Sequence, residues 1–90
     1  MNIEKIKITK EDERGIIYNC DTVGFIIRKK NTISADHTHN EAETLYLVQG
    51  EAELTVEDEV VVIKTPAKVV IGSNAYHKLV ALTDIMIVRS

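Results

Sequence analysis

The segment from Glu51 to Glu57 sets Glu51, Glu53, Thr55 and Glu57 against Ala52, Leu54 and Val56. A strict period of two is the pattern of a strand with one face in water and the other in a core. No window carries sustained apolar spacing at the helical period, so little helix is expected. Composition points the same way: 12 Ile and 10 Val stand against 5 Leu and 6 Ala, and β-branched side chains favour pleated strands. An all-β fold is expected, and 90 residues leave room for a single domain spanning 1–90.

Turn-forming residues punctuate the chain at short, even intervals, the rhythm of a sandwich or barrel. Strands are expected at Ile3 to Thr9 (an edge strand), Ile16 to Tyr18, Val23 to Lys29, Thr32 to Ala35 and Leu45 to Val48. Further strands are expected at Glu51 to Glu57, Val60 to Lys64, Lys68 to Ile71, His77 to Leu82 and Ile85 to Arg89. Lys10 to Arg14 reads as a polar turn, with one helical turn as the alternative. Leu45 to Val48 and Glu51 to Glu57 read as a hairpin turning near Gln49-Gly50-Glu51. Pro66 interrupts the strand that Lys68 to Ile71 resume.

Charge and cysteine usage exclude several classes of function. The formal net charge of −3 offers no attraction for nucleic acid. Arg28-Lys29-Lys30 is too short and too free of aromatics for such a role, and reads as a solvated strand end. The longest aliphatic run, Val60 to Ile63, falls far short of the roughly 20 residues of a membrane span. No export signal is visible, and a single cysteine, Cys20, fits a reducing cytoplasm. Cys20 reads as a buried, inert thiol, and Phe25 and Tyr46 as aromatics of the core or barrel lining.

The candidate chemistry lies in the three histidines. His37 and His39 are two apart, so on a strand both imidazoles leave the same face and can chelate one ion. Glu43 keeps the same parity four residues on. His77 follows the Gly72-Ser73-Asn74 turn, where an antiparallel barrel brings it back beside the first pair. Glu41 is read as a solvated neighbour. Imidazole suits iron, nickel, copper or zinc, and an added carboxylate keeps manganese in the set. Should all four groups ligate one ion, an octahedral ion would keep two positions open and a tetrahedral zinc none.

The run from His37 to Gly50 resembles the first motif of the cupin family: His-x-His, three spacers, Glu, six spacers, Gly, with every fixed position matched. The second cupin motif survives only at His77. Its first glycine position holds Pro66, its proline position Gly72, its second glycine position Asn74 and its terminal asparagine position Ala81. The resemblance covers about residues 23–89. It implies a double-stranded β-helix, or jelly-roll barrel, holding one divalent transition metal (Mn, Fe, Ni, Zn or Cu) on His37, His39, Glu43 and His77. It also implies a small-molecule ligand, and as an enzyme an oxygenase, isomerase or decarboxylase. Asp12-Glu13-Arg14-Gly15-Ile16-Ile17 resembles the opening of cupins that isomerise or epimerise nucleotide-linked keto-sugars, although the residues alone read as a polar turn. That resemblance implies a metal-independent alternative in which His37 or His39 is the base and Tyr18, Tyr46 or Tyr76 the proton donor. A non-catalytic ligand-binding module is the third reading. A small domain with barrel edges invites a homodimer, with Ile3 to Thr9 helping to cover a partner.

Overall fold

A computed structural model describes residues 1–90. It contains ten strands and no helix: β1 (Lys10–Asp12), β2 (Gly15–Cys20), β3 (Val23–Arg28), β4 (Ile33–Thr38), β5 (Glu43–Gln49), β6 (Glu51–Val56), β7 (Glu59–Lys64), β8 (Ala67–Ile71), β9 (Tyr76–Ala81) and β10 (Ile85–Arg89). They form one sheet in the order β1-β2-β3-β10-β5-β8 and a second in the order β4-β9-β6-β7.

The pairing is nested. β6 pairs with β7, β5 with β8, β4 with β9 and β3 with β10, all antiparallel. The chain therefore makes one long ribbon, folded back at Glu57-Asp58 and wound on itself, and it passes to the opposite sheet at every connection from β3 onward except the β6–β7 hairpin. This is the double-stranded β-helix implied by the motif resemblance. Inward-facing residues of both sheets (Ile26, Leu45, Leu47, Leu54, Ile71, Leu79, Ile85 and Ile87 among them) meet in one buried cluster, placed there by the period-two alternation of each strand.

Gly50 explains one departure from the sequence reading. β5 and β6 are not a paired hairpin; they lie in different sheets, and the single residue Gly50 carries the chain between them. Its φ is +94°, and a Cβ there would run into the Asp84 carbonyl oxygen, so a sharp change of sheet is available only to glycine. Likewise β8 does not resume β7: past Pro66 the chain enters the six-stranded sheet.

The N-terminal expectation is corrected. Residues 1–8 lie in no strand and are exposed, and the edge position belongs to β1, within the segment read as a turn. β1 pairs only with Gly15, Ile16 and Ile17, and Thr9 adds a backbone bond to the Ile17 carbonyl (2.9 Å). Beyond it, Asn19 N–H donates to the Thr9 hydroxyl (3.0 Å) in place of a continued ladder. The tight β1–β2 connection depends on Gly15, whose φ is +139° and whose Cβ would collide with the Ile27 carbonyl oxygen. Phe25 and Tyr46 are also corrected: both point outward and are over a third exposed, because Gly24, Ile26, Leu45 and Leu47 take the inward positions. Cys20 is only half-buried.

Candidate functional site

The histidines come from the four-stranded sheet and the loop that leaves it. β4 reaches Thr38, further than the sequence suggested, and a register irregularity between Ser34 and His37, with Ala35 at φ +55°, resets its facing. His37 then lies opposite His77 on β9. His39 sits just past the strand end, where its carbonyl accepts the Asn74 N–H at 2.6 Å. That bond ties the β4–β5 loop to the β8–β9 loop. Glu43 opens β5 in the opposite sheet, paired with Ile71. It reaches the histidines through the change of sheet between residues 39 and 43, and not by parity along one extended chain.

The geometry is compact. One ring nitrogen from each of His37, His39 and His77 lies within 4.8 Å of the others, and the ring centroids are 4.1, 4.9 and 5.3 Å apart. Glu43 Oε2 is 3.4 Å from His77 Nε2 and 3.7 Å from His39 Nε2. His77 is 1% exposed, whereas His37 and His39 open to solvent. Glu41 is exposed.

His77 Nδ1 lies 3.1 Å from the Ala75 carbonyl. A carbonyl only accepts, so Nδ1 carries the hydrogen and the neutral ring presents the Nε2 lone pair to the cluster. Both His77 Nε2 and Glu43 Oε2 are buried without a hydrogen-bond partner. With the ring neutral, two electron-pair donors face each other without a donor hydrogen, a costly arrangement that a cation at Nε2, a metal ion or a proton, relieves. Burial, and then the neighbouring imidazoles, hold the His37 ring below the usual histidine range, which keeps its nitrogen available as a donor at neutral pH.

The cluster opens into a cavity of about 430 Å³ between the sheets. Apolar residues such as Ile17, Ile26, Leu79 and Ile87 line it, together with Arg14, Arg28 and Arg89. None of Tyr18, Tyr46 and Tyr76 does: Tyr46 faces outward beneath Lys68, and the Tyr76 hydroxyl donates to Asp36. The arginines were missed from sequence. Arg28 is 7% exposed and faces inward, contrary to its reading as part of a solvated strand end. The parity of Gly24, Ile26 and Arg28 along β3 was the available signal.

The cupin domain family matches residues 24–88, most of the chain, with the nested strand pairs and the histidine cluster inside that span. The chain belongs to the cupin family. Among solved structures, this cupin is similar to the capsular polysaccharide assembling protein CapF from Staphylococcus aureus, with a TM-score of 0.82 and 17% identity over 97% of this chain and 28% of that one. It is also similar to Rru_A2000, a cupin-2 domain from Rhodospirillum rubrum (TM-score 0.77, 14% identity, 94% of this chain and 66% of that one). A third relative is the salicylate 1,2-dioxygenase of Pseudoaminobacter salicylatoxidans (TM-score 0.71, 15% identity, 81% of this chain and 20% of that one). The cupin thus spans under a third of the CapF and dioxygenase chains. No curated protein matches the sequence.

Proposed function

We propose that this cupin binds one divalent transition ion through His37, His39, His77 and Glu43, and uses it to act on or sense a small polar, oxygenated molecule in the adjoining cavity. One observation carries the reading: three imidazole nitrogens and one carboxylate oxygen converge, and the two most buried of these atoms, His77 Nε2 and Glu43 Oε2, have no hydrogen-bond partner. Three nitrogens with one oxygen suit manganese, iron, nickel, copper or zinc. When bound, such an ion supplies Lewis-acid or redox chemistry to an oxygen atom of the ligand.

The protein's own residues have separate tasks in this reading. The Ala75 carbonyl orients His77, the β4–β9 pairing sets His37 opposite it, and Glu43 brings negative charge that offsets the ion. The apolar part of the cavity wall, Ile17, Ile26, Leu79 and Ile87, limits water and strengthens polar contacts inside. The same reading includes a homodimer and, from the lone cysteine, a reducing cytoplasmic setting.

The test is elemental analysis of protein purified without an affinity tag, wild type beside His77→Ala. A near-stoichiometric transition metal that disappears in the folded variant supports the reading. Absence of metal from wild type after reconstitution with each of the five ions overturns it. An enzyme would then lose turnover in folded His37→Ala, whereas a sensor would lose only ligand affinity.

A further inference from the structure

The cavity wall holds a second, unanswered demand. Three arginines line it. Arg14 is neutralised by Asp12 at 2.9 Å, and Arg89 donates to the neutral amide oxygen of Asn19 at 3.1 Å. Arg28, the most buried of the three, makes no ion pair, its guanidinium donates no side-chain hydrogen bond, and its Nε is buried and unsatisfied. Of the carboxylates near the cavity, Asp12 pairs with Arg14, Asp36 accepts from the Tyr76 hydroxyl and Glu43 lies against the histidines, and none forms an ion pair with Arg28. A guanidinium whose Nε is buried without a partner is costly to the fold. Burial and the nearby Arg14 disfavour its charged form, yet an arginine side chain keeps its charge.

We infer that the cavity takes a small organic acid whose carboxylate is gripped by Arg28, the end of the molecule facing the histidines bearing a further oxygen. The second half rests on the metal reading above; the first does not. A planar guanidinium matches a carboxylate through two parallel N–H···O bonds. Ile17 and Ile26 beside it exclude water from the pair, and about 430 Å³ is the size of a small-ligand pocket. Arg89 adds a second positive charge on the same wall.

The test uses pyruvate and benzoate as probes, with inorganic phosphate and glycerol for comparison, at 0.15 M salt on protein freed first of metal and then of chelator. Calorimetry is expected to show both monocarboxylates binding wild type, with Arg28→Met weakening them at least tenfold and Arg28→Lys falling between. The unliganded Arg28→Met protein should be no less resistant to urea than wild type, since a buried unpaired charge has gone; a merely structural Arg28 would make it less so. Failure of either carboxylate to bind metal-free wild type, equal binding by Arg28→Met, or tighter binding of phosphate overturns the inference. Wild type that binds the acids but takes up no ion on reconstitution sinks only the metal reading, and wild type that takes up an ion but binds neither acid sinks only this one; folded His37→Ala/His39→Ala, in which the metal reading expects no uptake, should still bind both acids through Arg28.

Discussion

His37 and His77 face each other across the β4–β9 ladder with ring centroids 4.9 Å apart, although the strands β5 to β8 lie between them in sequence. Glu43 Oε2 joins them from the other sheet, 3.4 Å from His77 Nε2. Glu43→Gln keeps the shape and removes the charge. Metal affinity measured by chelator competition should fall at least about tenfold, while Glu41→Gln, on an exposed loop position, leaves it unchanged. Equal losses in both variants would mean that Glu43 acts only through general charge.

Leu47 is 1% exposed at the centre of the core. Leu47→Ala should cost about 2–5 kcal/mol through lost burial and the cavity left behind. Val61→Ala, on the exposed outer edge, should stay within about 0.5 kcal/mol. Urea denaturation of the metal-free protein measures both.

Gly15 and Gly72 make a matched pair. Alanine at Gly15 meets the Ile27 carbonyl and a φ of +139°, whereas alanine at Gly72 meets nothing within 4 Å. Gly15→Ala should lose about 1–3 kcal/mol, and Gly72→Ala should be close to neutral by the same denaturation experiment.

The Arg14 guanidinium and backbone N–H beside Asp12 hold its carboxyl down at about 2, from an ordinary 3.8. A depressed carboxyl stabilises the folded state fully above its unfolded value and ceases to do so as pH falls through the folded one. Asp12→Asn should therefore be less stable than wild type above pH 4 and converge with it towards pH 2, in stability curves recorded at fixed temperature.

Ile3, Ile6 and Ile8 are exposed on a segment that forms no strand in its own chain. If they cover a partner, wild type sediments as a dimer at micromolar concentration and the triple substitution Ile3→Glu, Ile6→Glu, Ile8→Glu shifts it to monomer. A monomeric wild type removes the homodimer from the reading.

The sequence by itself determined the strands from β2 to β10 and the fold class, though not the N-terminal edge, because a half-buried strand writes its two faces into alternate residues, as Glu51 to Glu57 do. It also determined which residues carry the metal-type donors, since His37, His39 and Glu43 lie within one short stretch whose spacing resembles a known motif. Which strands pair was not legible. Gly50 reads equally well as a hairpin turn or as a change of sheet, and only the packing of both sheets around one core decides between them. The facing of Arg28 was hidden for a related reason: a charge beside two lysines reads as solvated until the winding of the ribbon closes a cavity over it. Register and closure are set by contacts between distant segments, so the neighbourhood of His77, Glu43 and Arg28 belongs to the tertiary structure alone.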